Sequence, residues 1–335
     1  MTVPAPHIQD ITVERESLTS CLQAIADAAG NPIDYDTIHA MLGLPLMVCA
    51  RAGDRPDDWP WLARDVFLWR AARVLGIAVR AIHPPEAAVG LERSVEFAQH
   101  FDASYRPLIL RALEHGQAVL AWRGWPEPAG MAWGLIRTTG DDGIGLAGWT
   151  AGGGDDVALV RPPVQLYVVE AAAPITPPAD AVLPVALDHA RRALSGDVGD
   201  RWGAVTGLAA YDRWIDRVAR DAADGTPPVG ARSRHAPVSA AAVHRDLASR
   251  VAASHASGVR FFERHRDAAG AGDAAVVASL VDACRCVVAV LTPPDDRAAA
   301  RGRSSTPEDL RNLTSRIKNA RRAADRARHA LNARR

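Results

Sequence analysis

Near its carboxyl end the chain carries a long apolar seam with the period of an α-helix. The spacing predicts a single helix over 307–333, with Thr306 as its N-cap and Pro307 in its first turn. A seam of this length needs an apolar partner surface, which either the other helices of the chain or a second subunit supplies. Its members alternate between spacings of three and four residues and are Leu310, Leu313, Ile317, Ala320, Ala324, Ala327 and Leu331.

The pattern is helical over most of the second half of the chain. An Ala/Pro-rich segment at 173–182 predicts a linker, and beyond it we expect an all-helical domain over 183–335. The predicted helices cover about 183–195, 200–222, 238–268, 273–291 and 307–333.

The first half predicts helices followed by a run of antiparallel strands. This order is typical of an α+β domain, which we place over 1–172. The predicted helices begin near residues 17, 35, 61 and 107, and the predicted strands cover 77–82, 118–122, 132–138, 144–149 and 165–169.

Length and charge exclude several classes of protein. The chain has 335 residues, and its 39 Lys+Arg balance its 39 Asp+Glu, so no global charge favours nucleic acid or a membrane surface. The amino terminus lacks the pattern of a signal peptide, and no run of 18 or more apolar residues is found. We therefore expect a soluble cytoplasmic protein without a membrane partner.

The last predicted helix is strongly basic on its polar side. A solvated helix face is the favoured interpretation, and binding of nucleic acid or of an acidic partner is the less favoured one. The basic residues are Arg311, Arg316, Lys318, Arg321, Arg322, Arg326, Arg328, Arg334 and Arg335.

The sequence predicts neither a cofactor nor a metal site. Cys284 and Cys286 are separated by one residue, which is too few for a zinc knuckle, and four cysteines in a chain of this length do not form a disulfide framework. Asp141 and Asp142 are explained by a tight turn between two strands.

Cys21 lies near the start of the first substantial helix, for which Ser17, Thr19 and Ser20 are candidate N-caps. The positive end of a helix lowers the pKa of a thiol and favours the nucleophilic thiolate. Nucleophilic catalysis also needs a histidine within hydrogen-bond reach and a group that orients it. The alternative for Cys21, a small buried hydrophobic residue, is the commoner role for such a cysteine.

Four short motifs carry a resemblance to papain-like domains. Cys21–Ile25, Tyr35–Ile38 and the strand pair within Gly134–Trp149 resemble the N-terminal domain of the butirosin biosynthesis protein H family. They are more distantly similar to the bacteriocin leader peptidases that cut after a double glycine. Thr206–Ile215 resembles a helix found after such domains. The resemblance implies a papain-like domain over 1–172.

By this resemblance Cys21 matches the nucleophile, which in the butirosin family accepts an acyl group from a carrier protein. The family's histidine would begin the strand at Gly130–Gly134, and its orienting aspartate would lie near Ala147–Trp149, but neither segment contains that residue. Glu14–Glu16 occupies the stretch where a helper glutamine is expected.

Other residues of the first domain are weaker candidates for a site. Three histidines could act as a base from elsewhere in the fold, and they are His83, His100 and His115. Three tryptophans could line an apolar ligand groove, although plain packing is the commoner role, and they are Trp122, Trp133 and Trp149.

Three hypotheses follow from the sequence. The first is a papain-like domain with an incomplete triad that binds a small molecule, an acyl carrier or a peptide in a specialised-metabolite or peptide-modifying pathway. The second is an active cysteine acyltransferase that uses Cys21. The third is a helical interaction protein that forms a homodimer through 310–331.

Overall fold

The structure is a computed structural model that describes residues 16–51, 65–82, 95–127, 129–130, 132–140, 145–150, 154–175, 177–196, 204–223, 240–292 and 307–334. The chain forms two compact units. The first comprises 1–38 and 61–182, and the second comprises 39–60 and 183–335. The segment 39–60, which the sequence prediction assigned to the first domain, therefore belongs to the second unit.

Before residue 172 the described elements are a mixture of helices and strands that ends in five consecutive strands, and after it they are mostly helical. A 3₁₀ turn covers Leu44–Leu46, and a π-helical turn, Phe101–Tyr105, joins two helices. The α-helices are α1 (Ser17–Ala28), α2 (Tyr35–Met41), α3 (Asp65–Val74), α4 (Val95–His100), α5 (Arg106–Glu114), α6 (Ala179–Ser195), α7 (Leu208–Ala223), α8 (Ala240–Arg264), α9 (Ala271–Leu291) and α10 (Pro307–Asn332). The strands are β1 (Cys49–Arg51), β2 (Ile77–Ala81), β3 (Val119–Trp122), β4 (Trp133–Thr139), β5 (Leu146–Thr150), β6 (Gly154–Ala158), β7 (Gln165–Ala172) and β8 (Ala204–Thr206).

The first unit is built on a six-stranded antiparallel sheet with the strand order β2-β7-β3-β4-β5-β6. In the centre of the sheet, Leu120 of β3 lies opposite Leu135 of β4 and Tyr167 of β7. The mixed helix-and-antiparallel-sheet class expected from the sequence is thereby confirmed for this unit.

The two faces of the sheet bury different side chains because neighbouring residues of a strand point to opposite sides. One face packs against α5, where Ile109 joins Val119, Ile136 and Val168 in a core cluster of aliphatic and aromatic side chains. The other face is aromatic: the Trp122 and Trp133 rings stack with centroids 6.4 Å apart, and Tyr167 packs against Trp133 at 6.1 Å. Helix α1 packs against β4.

The second unit is predominantly helical, but the prediction of an all-helical domain was wrong in one respect. β8 pairs antiparallel with β1, and it lies where the sequence predicted the start of a helix over 200–222. Gly207 separates β8 from α7 at φ +63°, and a Cβ atom there would stand 2.4 Å from the Leu194 carbonyl oxygen. The turn from strand to helix therefore requires glycine.

The apolar seam of α10 is covered by helices of the same chain. All of its residues are buried, and α10 packs against α7 and α9. Two arginines support the same packing: Arg321 of α10 bonds Asp212 of α7, and Arg334, which follows the end of α10, bonds Asp273 of α9. A homodimer through 310–331 would first have to separate α10 from these two helices.

Helix α9 is the one element of the described residues that is long and apolar enough, over Gly272–Leu291, to cross a membrane. It packs between α8 and α10, and a core helix of a globular protein has the same length and composition. A single such helix is weak evidence for a membrane span.

Candidate functional site

Glu16 caps α1, a role that the sequence analysis wrongly gave to Ser17, Thr19 or Ser20. Its Oε1 atom accepts from the Leu18 backbone N–H at 2.9 Å, and its Oε2 atom accepts from the Thr19 backbone N–H at 2.8 Å. A carboxylate at this position satisfies two of the free N–H groups of the first turn. Burial raises the pKa of Glu16, while the bonds from Leu18 and Thr19 act in the opposite direction.

Cys21 is the fifth residue of α1, beyond the first turn, and its residue exposure is 0%. Burial raises the pKa of the Cys21 thiol well above its ordinary range, and the Glu16 carboxylate raises it further. The expectation of a lowered pKa was therefore wrong. The positive end of a helix acts mainly within the first turn, and here a carboxylate already occupies that end.

Neither His100 nor His115, the two candidate histidines that the structure describes, is buried with Cys21 as a base. His100 ends α4 and His115 follows α5, and both side chains are exposed whereas Cys21 is buried. The His115 imidazole Nδ1–H donates to the Arg111 carbonyl oxygen at 2.6 Å. His83 lies outside the described residues. The causes of the raised Cys21 pKa include no histidine.

Ser17 of α1 forms a hydrogen bond to the start of β4. The Trp133 backbone N–H donates to the Ser17 Oγ atom at 3.0 Å. The resemblance to papain-like domains places the catalytic histidine at this strand, where the chain has Trp133. Cys21 lies four residues further along α1, about 6 Å along the helix axis from Ser17.

The three candidate groove tryptophans are packed in the interior. Trp122 and Trp133 are 0% exposed and Trp149 is 3% exposed, so a ligand would reach them only if the covering side chains moved. Arg123, which the sequence analysis did not single out, follows Trp122 with φ +67°, and its guanidinium lies 4.4 Å from the centre of the Trp122 ring. This left-handed conformation is costly for arginine, on the order of 1–3 kcal/mol, and such strain is concentrated at functional sites.

The second unit contains buried histidine clusters that the sequence analysis also missed. His39 Nδ1 lies 3.1 Å from Ser257 Oγ, and His244 Nε2 lies 2.8 Å from Asp221 Oδ2. No sequence motif marks either pair, because their members are separated by 218 and 23 residues.

Among the residues that the structure describes, no group of three or more His, Cys, Asp or Glu side chains could hold a metal ion. Comparisons with protein-family models and with curated proteins found no match for this chain.

Proposed function

We propose that the first unit is a papain-like scaffold with an incomplete catalytic triad, which binds a ligand or partner without cutting it. The buried Cys21 thiol carries the proposal, because a nucleophile must both reach its substrate and ionise. Without an adjacent base a thiol near neutral pH is only a few per cent thiolate, and burial makes that fraction smaller still.

Three further observations support this reading. The order of a cysteine-bearing helix and a following antiparallel sheet is the one that the resemblance implies. The start of α1, where a thiolate would gain most from the helix dipole, is occupied by the Glu16 carboxylate. The strand that should supply a histidine begins with Trp133, whose backbone N–H bonds Ser17.

The binding site we propose is the aromatic face of the sheet around Trp122, Trp133 and Trp149, which a ligand enters by displacing the side chains that cover these rings. Aromatic rings give apolar contact area, so the ligand we propose has an apolar body and is a small molecule, the acyl arm of a carrier protein or a peptide. The proposed setting is a specialised-metabolite or peptide-modifying pathway.

The test uses the full chain with two kinds of probe, acyl thioesters of N-acetylcysteamine and a leader peptide that ends in a double glycine. We expect no acyl adduct on Cys21 by mass spectrometry and no peptide cleavage. One of the two probes should change the tryptophan fluorescence in a saturable way, equally in the wild type, in Cys21→Ala and in the control Cys284→Ala. Acylation or cleavage that disappears in Cys21→Ala would instead establish the cysteine acyltransferase or peptidase.

A further inference from the structure

Helix α8 carries two imidazoles that are almost completely buried within the second unit. His244 is 0% exposed and His255 is 1% exposed. The His255 Nδ1 atom lies 2.9 Å from the Val251 carbonyl oxygen, so this nitrogen carries the proton and donates it. The His255 Nε2 atom is then the bare nitrogen, and it has no partner among the described residues.

A protonated imidazole has two N–H donors, and the surroundings of His255 offer an acceptor to only one of them. The second donor would be buried without a partner, which is unfavourable for any polar group and more so for a charged one. His244 likewise has a hydrogen-bond partner for only one of its two ring nitrogens. Its Nε2 atom bonds Asp221, whereas its Nδ1 atom is buried and has no partner in the described part of the chain.

The charged groups that act on His244 come from α7, whereas none acts on His255. Asp221 bonds His244 and also accepts from the Arg217 guanidinium, at 3.0 and 3.1 Å, so its charge is shared between two partners. The influences on His255 are burial and the Val251 carbonyl, and no charged side chain is among them.

Other titratable groups lie on the elements packed against α8. On α9, Asp273 bonds Arg334, Arg285 bonds Glu263 of α8, and the Asp282 side chain is exposed. Burial raises the pKa of the Cys284 thiol of α9 to about 12 and raises the pKa of the Tyr211 hydroxyl of α7. His39 bonds Ser257 on α8, and the 3₁₀ turn Leu44–Leu46 has no titratable side chain. None of these groups accepts a hydrogen bond from the His255 Nε2 atom.

We propose that α8 is an acid-sensitive element, in which uptake of a proton by His255 releases the helix from its packing against α9 and opens the helical unit. The opening follows from the geometry, because the charged imidazole can find a second acceptor only in water. This proposal for α8 does not depend on the ligand-binding proposal for the first unit.

The direction of the pH effect follows from linkage. Burial lowers the pKa of His255 to about 4, while an imidazole in an unfolded chain titrates near 6.5. The contribution of neutral His255 to the free energy of unfolding is fully present above pH ~6.5 and is lost as the pH falls toward 4. Burial also lowers the pKa of His244, against the opposing effect of Asp221, so His244 acts in the same sense.

The experiment compares the full chain with His255→Leu, which cannot titrate, by urea unfolding between pH 7.5 and pH 5.0. Over this interval the unfolding constant of the wild type should rise about 30-fold more than that of the variant. Amide hydrogen exchange should place the loss of protection in α8 and α9 and leave β3–β5 unchanged. If His255→Leu does not fold, His255→Gln provides the same comparison.

His265 provides the matched control. Its Nδ1–H donates to the Phe261 carbonyl oxygen four residues earlier, as His255 does to Val251, but the His265 side chain is partly exposed. His265→Leu should therefore keep the pH dependence of the wild type. Equal pH dependence in the wild type and in the His255 variants would overturn the proposal.

Discussion

A protein that carries Ile317→Asp is expected to lose its folded helical unit. Ile317 lies in the middle of the α10 seam, is 0% exposed, and belongs to the face that packs against α7 and α9. The substitution removes about 1.5–3 kcal/mol of apolar burial. It also buries a carboxylate in the apolar seam, so the total loss should exceed about 4 kcal/mol, a large part of the roughly 5–15 kcal/mol that stabilises a domain.

Urea unfolding followed by far-ultraviolet circular dichroism measures this loss, and Lys318→Asp is the control. Lys318 is the next residue of the same helix and is exposed, so introducing the same carboxylate there, although it also removes a positive charge, should change the stability by only about 0.5 kcal/mol. Equal midpoints for the two variants would mean that the seam is not buried against its own chain. That result would support the hypothesis of a homodimer through 310–331.

Gly148→Ala is expected to disrupt the sheet of the first unit. A Cβ atom at residue 148 would stand 1.8 Å from the Leu135 carbonyl oxygen and 2.8 Å from the Leu135 carbonyl carbon, both in the backbone of β4. A flexible side chain can relieve such a clash by changing its rotamer, but backbone atoms cannot. The strands β4 and β5 would therefore have to separate. We expect a loss of roughly 3 kcal/mol or more.

Gly272→Ala in α9 is the matched control, because nothing lies within 4 Å of the Cβ position there. The same added methyl group should be neutral or slightly stabilising, since alanine is a better helix former than glycine. Thermal unfolding of both variants provides the comparison. Similar melting temperatures for Gly148→Ala and the wild type would contradict the strand pairing of β4 with β5.

The sequence predicted the elements whose patterns are local. The α10 seam appeared as a period of three and four residues, and the structure confirms the helix over Pro307–Asn332. Strands β3, β4 and β7 were predicted to within three residues at either end. β1 and β8 were missed because each has three residues and gains stability only from a partner about 150 positions away.

The candidate site was less predictable because its chemistry depends on burial. A cysteine near a helix start predicts a lowered pKa, but the burial of Cys21 and the charge of Glu16 reverse the direction. The cap was missed because the usual rule favours Ser, Thr, Asp and Asn, whereas the longer Glu16 side chain folds back onto the first turn. The pairing of His244 with Asp221 needed the packing of α7 against α8, which no local pattern contains.

The central claim, that Cys21 is not a nucleophile, is tested most directly by the alkylation rate of each cysteine against pH in the native chain. Cys284 is buried and Cys286 is partly exposed, so they set the slow and fast limits within the same molecule. We expect Cys21 to label as slowly as Cys284 and to show no acceleration below the ordinary thiol pKa of ~8.5. If Cys21 labels faster than Cys286, with an inflection well below that value, the thiol is activated and the binding proposal is wrong.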